Sequence, residues 1–179
     1  MGTEGSSRIL GEGSNMVQVR VAGVALDPEG QRVVLLKPID ALPGEGAILP
    51  IWIGAQEATS ILIAVEGAVT PRPLAHDLMR SMITTLGAEV DRVEVARIDD
   101  GTFYAEVTLS SARGTQAVDA RPSDAIALAS RTAAPIFVAD EVLAEAGIPD
   151  VLAEADAEEN IEEFKHFIDD VEPDDFRES

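Results

Sequence analysis

A chain of 179 residues is long enough for one core-bearing domain and too short for two ordinary ones, so one domain with tails is expected. Hydrophobic residues make up 46% but aromatics only 4%, which assigns the core to Val, Ile, Leu and Ala and argues against an aromatic stacking platform. The absence of cysteine excludes disulfides, thiolate metal sites and thiol nucleophiles, and a net charge of −20 counts against a generic nucleic-acid binder, whose phosphate contacts require Lys and Arg.

Residues 1–15 are Gly- and Ser-rich without periodicity and read as a disordered extension or expression remnant. From Met16, "MVQVRVAGVAL" alternates through Val17, Val19 and Val21, and the turn "DPEGQ" separates it from "RVVLLK", which predicts a β-hairpin. "AILPIWI" (47–53) is a third strand, and Pro50 makes it an edge strand or one with a bulge. A helix follows, with Ala58, Ile61, Leu62 and Val65 at helical spacing and Gly67 as its cap. A second helix, Pro73 to Leu86, is expected to bury Leu74, Leu78, Met82 and Leu86 and to stop at Gly87.

Two alternating runs around "DDG" (99–101) then form a second hairpin, and "TQAVDA" extends it as a short strand. "RPSDAIALASRTAA" is a helix with Pro122 in its first turn and Ser123 or Asp124 as capping groups. "PIFVA" is a brief buried strand, and "DEVLAEAG" a short helix stopped by Gly147. Beyond Pro149 the composition turns acidic: residues 150–179 carry 13 acids against Lys165 and Arg177, whereas 16–149 carry 18 acids against 10 bases. Ile161, Phe164, Ile168 and Val171 recur there at helical steps, so 149–179 reads as an acidic tail with an amphipathic docking helix. Strands come as hairpins and helices as a pair, giving an α+β fold in which a mixed or antiparallel sheet of hairpins carries the helices. No apolar run approaches the ~20 residues of a membrane span, so a cytoplasmic protein with no membrane partner is expected.

Two groups of polar residues stand at helix starts: Arg72, His76 and Asp77, and Asp119, Arg121 and Asp124. Helix N-termini offer free N–H groups and a positive dipole end to phosphate oxygens, and an arginine adds a forked grip. His76 and Arg80 share one helix face, whereas Asp77 points about 100° away, so the neighbours His76 and Asp77 need not act together. The structural alternatives are a first-turn acid for Asp77, a partly exposed helix residue for His76, a turn carboxylate beside Arg121 for Asp119, and a cap for Asp124. Glu57 and Glu66 lie nine apart on opposite faces of the first helix, and Glu57, close to Trp52, is the better site candidate. Trp52 reads as core or interface more than as a base-stacking group.

The blocks "LPIWIGAQEA" (49–58), "PRPLAHDLM" (71–79), "LGAEVDRVEV" (86–95), "DGTFYAEVTL" (100–109), "DARPSDAIALA" (119–129) and "APIFVADEVL" (134–143) closely resemble, in order and spacing, the bifunctional nuclease domain family of bacteria and plants. The resemblance covers about residues 16–148. It implies a self-associating α+β domain with DNase and RNase activity. One departure is Ala75, where that family usually has a hydroxyl residue before the histidine. The expectation is therefore a nuclease, a hydrolase of DNA or RNA phosphodiesters. His76, Asp77, Asp119 and Asp124 would be catalytic and Arg72, Arg121 and Glu57 would bind substrate, with Mg²⁺ or Mn²⁺ assistance and no organic cofactor. The alternative is a non-catalytic oligomeric interaction module with an acidic docking helix.

Overall fold

The structure, a computed structural model, describes residues 15–150. The expected N-terminal extension up to residue 14 and the amphipathic acidic helix beyond Asp150 lie outside the described residues. Strands β1 (Met16–Leu26) and β2 (Arg32–Pro38) form the first hairpin. Its turn is closed by the Asp27 carboxylate, which accepts the amides of Glu29 and Gln31 at 2.9 and 2.8 Å. Strand β3 (Ala47–Ile53) pairs with β2. Helices α1 (Ala55–Glu66) and α2 (Ala75–Thr85) follow, then strands β4 (Ala88–Asp99), β5 (Thr102–Ser111) and β6 (Gly114–Ala120). Asp100 and Gly101 both take positive φ, 49° and 74°, as the tight β4–β5 turn demands. Helix α3 (Pro122–Thr132), strand β7 (Ile136–Ala139), helix α4 (Asp140–Ala146) and the two-residue β8 (Ile148–Pro149) complete the described chain.

The eight strands make one sheet in the order β6-β5-β4-β7-β1-β2-β3-β8, antiparallel except for the β4–β7 pair. The α+β class and mixed sheet are as expected. Beyond Ile48 the outer edge of β3 is unpaired among the described residues, because β8 reaches only Ala47 and Ile48. Pro50 sits in that open stretch, where a missing N–H is tolerated. The main core lies between one sheet face and the helices and is aliphatic, with Leu36, Leu49, Val93, Val95 and Val138 from the sheet and Ile61 and Ile126 from the helices. Ala125, Ala127 and Ala129 are buried and keep α3 close to the strands. On the opposite face Val33, Leu35 and Ile48 form a smaller cluster.

The composition gave no warning of one buried ion pair. Lys37 Nζ meets the Asp150 carboxylate and donates to Leu42 O at 2.9 Å, while Gly44 N donates to the same carboxylate at 3.0 Å. This tie pins the β2–β3 loop to the point where the described chain ends. None of the helices among the described residues is long and apolar enough to cross a membrane.

Two expectations are corrected. Val65 is exposed at the end of α1. In α2, which begins at Ala75 and not at Pro73, Leu78, Met82 and Leu86 point to solvent, Leu74 is only partly buried, and His76 is buried at 6% exposure. At 100° per residue, Leu78 and Met82 lie 200° and 240° around the helix from His76, whereas Ile83, which packs on the core, lies within 20° of it. The rotation of α2 therefore follows the bonded partners of His76 in preference to the larger apolar stripe.

Candidate functional site

Helices α1 and α2 both pack on α3. Each of the three carries an acidic residue at the third helical position: Glu57 in α1, Asp77 in α2 and Asp124 in α3. An acid there is favoured by the positive end of the helix dipole, which accounts for all three locally. What separates them is their partners.

His76, at the second position of α2, is bonded on both ring edges. Nδ1 lies 2.7 Å from Ser60 Oγ on α1, and Nε2 lies 2.9 Å from Asp124 Oδ1 on α3. Both ring nitrogens thus have partners, and the ring links the buried Ser60 hydroxyl to the Asp124 carboxylate. The second oxygen of Asp124 accepts Arg121 Nε at 2.9 Å. Arg121 Nη1 in turn lies 3.3 Å from Glu57 Oε1. A continuous chain Ser60–His76–Asp124–Arg121–Glu57 thus joins the starts of three helices. Glu57 can fold back beside its own helix start because residue 54 is glycine: a Cβ there would lie 2.3 Å from Glu57 Oε2.

The chain runs from dry to wet. Ser60 and His76 are buried, Asp124 and Glu57 are partly covered, and the Arg121 side chain is 66% exposed. Burial pushes the Asp124 carboxyl up, but the hydrogen bonds and charge of Arg121 and His76 outweigh it and hold it below the ordinary carboxylate value. The same contacts, Asp124 first and then Glu57, raise Arg121 against a small opposing effect of burial.

Of the residues singled out in the sequence, His76, Asp124, Arg121 and Glu57 come together. Asp77 does not join them. Its Oδ1 accepts Arg131 Nε and its Oδ2 the Leu74 amide, each at 2.9 Å, so it ties α2 to α3 on the far side. Burial raises that carboxyl, and the Leu74 and Arg131 hydrogen bonds followed by the charges of Arg131 and Arg80 bring it below its ordinary value. Asp119 stands on β6 opposite Glu106, exposed and without a side-chain partner among the described residues. Arg72 lies in the exposed turn before α2. Ser60 and Arg131 were not foreseen, although Ser60 follows Glu57 by three residues and so shares its helix face. Trp52 is neither core nor site: it is half exposed, with its indole N–H held by Asp27 Oδ2 at 2.9 Å.

The donor set of the described residues does not fit a resident divalent ion. Among the described residues no three His, Asp or Glu side chains converge on one point, and the Arg121 guanidinium already bridges the two carboxylates that approach each other, Glu57 and Asp124.

Residues 35–151 match the family described as the bifunctional nuclease domain. The chain is 42% identical over 169 residues to an uncharacterized protein of Mycobacterium tuberculosis, a match that covers 90% of this chain and 99% of that protein. It is 31% identical over 98 residues to Bifunctional nuclease 1 of Arabidopsis thaliana, covering 53% of this chain and 30% of that protein. With Bifunctional nuclease 2 of the same plant the identity is 28% over 120 residues, or 63% of this chain and 36% of that one.

Proposed function

The chain belongs to the bifunctional nuclease domain family, and from that membership we propose that it hydrolyses phosphodiester bonds of DNA or RNA at the start of α3. The observation that carries the assignment of the site is the Glu57–Arg121–Asp124 bridge. Arg121 Nη2 has no partner among the described residues, while Nε and Nη1 are held by the two carboxylates. The guanidinium is thereby fixed in position and presents an open edge to a phosphoryl oxygen.

A phosphate held there lies beside Glu57. Its carboxylate takes a proton from a water molecule, the water oxygen attacks phosphorus, and the bond to the departing nucleoside oxygen breaks, that oxygen taking its proton from solvent. Arg121 offsets the charge that builds on the phosphoryl oxygens. Asp124, His76 and Ser60 position Arg121 and have no contact with substrate in this scheme.

Purified full-length protein, assayed on labelled single strands across a sizing column, tests this. Nuclease activity should co-elute with the protein, Glu57→Gln should lower kcat by about 10²–10⁴, and Arg121→Ala should lower kcat/KM by about 10²–10³. Activity that survives both substitutions, or that elutes apart from the protein, overturns the proposal. A second reading, a non-catalytic interaction module, draws support from the exposed apolar face of α2; it predicts no turnover by any preparation.

A further inference from the structure

Strand β6 pairs with β5 on one side and with no strand on the other among the described residues, and from Gly114 to Asp119 both its faces are exposed. Open edges of this kind are ordinarily protected by Lys or Pro, by a bulge, or by being very short. β6 has seven residues, "GTQAVDA", with neither Lys nor Pro. Its register with β5 runs without a shift, whereas the β4–β5 pair is shifted twice. In a two-residue hairpin the closing pair, here Ser111 and Gly114, is a hydrogen-bonded one. Alternation along the ladder then directs the N–H and C=O groups of Thr115, Ala117 and Asp119 to the open side.

We propose that β6 pairs antiparallel with β6 of a second copy of this chain, about a two-fold axis at Gln116. The charges select both the occupant and the register. Arg113 and Asp119 are exposed, neither has a side-chain partner among the described residues, and they lie three residues to either side of Gln116. A two-fold axis at Gln116 brings Asp119 of each copy to the turn residue Arg113 of the other, which immediately precedes β6, so two ion pairs can form across the edge. The same axis sets Thr115 against Ala117, matching the outward-facing groups, and Gly114 against Val118. A two-fold axis at Ala117 would instead bring Arg113 against Arg121. The edge is locally neutral, and two acidic domains can meet there without bringing like charges together.

Arg121 lies five residues from this axis, so the two Arg121 backbones stand about 34 Å apart along the strand direction. Each copy keeps its own complete Ser60-to-Glu57 chain, and turnover per chain does not depend on the pairing.

Sedimentation velocity on the full-length chain tests the proposal. A dimer is expected in the micromolar range. Asp119→Arg places arginines in apposition at both symmetric positions and should weaken the dimer about tenfold or more. Adding Arg113→Asp to it exchanges the two charges and should restore the affinity to within about threefold. The proposal is overturned by a wild-type chain that stays monomeric at ~100 µM, by a dimer indifferent to Asp119→Arg, by a charge exchange that fails to restore the pairing, or by a dimer lost only with Met82→Lys on α2.

Discussion

Asp124 serves two partners with one carboxylate: Oδ1 meets His76 inside the protein and Oδ2 meets Arg121 at the surface. Its titration therefore reports the integrity of the whole chain. The folded-state carboxyl lies below its ordinary value of 3.8, so its contribution to stability is complete above that pH. The contribution is lost as the pH falls through the folded value. Asp124→Asn removes the charge but keeps the shape, and should cost about 1–3 kcal/mol at neutral pH through the weakened bonds to Arg121 and His76. The gap between wild type and variant should narrow as the pH drops below 3.8. Urea midpoints measured from pH 7 down to pH 2.5 show it; a gap that stays constant with pH sinks this account of Asp124. Ser60 is the part of the chain that the sequence concealed. It sits in an otherwise apolar turn of α1, and only a bonding partner 16 residues away gives it a purpose.

At the scale of elements, three helices present an acid at the same third position, and dipole, local sequence and capping preference do not distinguish them. Tertiary partners do: Asp77 meets Arg131, Asp124 meets His76 and Arg121, and Glu57 meets Arg121. The strands, both hairpin turns and the stops at Gly67, Gly87 and Gly147 were legible because alternation, Asp-Gly and glycine act over a few residues. The facing of α2 was not, because counting apolar residues favours Leu78, Met82 and Leu86 over one histidine. The histidine prevails because a buried imidazole with both nitrogens bonded cannot turn outward without losing two partners, whereas exposed leucines lose only surface burial. Met82→Ser should accordingly change stability by less than about 0.5 kcal/mol, and Ile83→Ala by more than 1 kcal/mol, since Ile83 packs on the core. Chemical denaturation of the two variants decides it, and a larger cost for Met82→Ser would mean that α2 is turned the other way.

If the chain acts on nucleic acid as proposed, the charge of the whole molecule sets a limit on how it can hold one. Residues 16–149 carry 18 acids against 10 bases, and of those bases Lys37 is buried against Asp150, Arg131 is held by Asp77, and Arg92 lies beside Asp91 and Glu94. Among the described residues no stripe of free cations is left to follow a phosphate backbone, so the proposed reading confines the grip to Arg121 at the site. Each phosphate neutralised on a single strand contributes a slope of about −0.7 to log K against log salt. One or two contacts then predict a slope near −1, against the −4 or steeper of proteins that contact six or more phosphates. Fluorescence anisotropy with a short labelled single strand, in the catalytically impaired Glu57→Gln variant, measures it directly. Arg121→Ala introduced into that background should flatten the slope by about 0.7, because one neutralised phosphate is removed. A wild-type-like slope in that double variant would show that Arg121 never meets the phosphate. A slope steeper than −4 would overturn the local grip at Arg121.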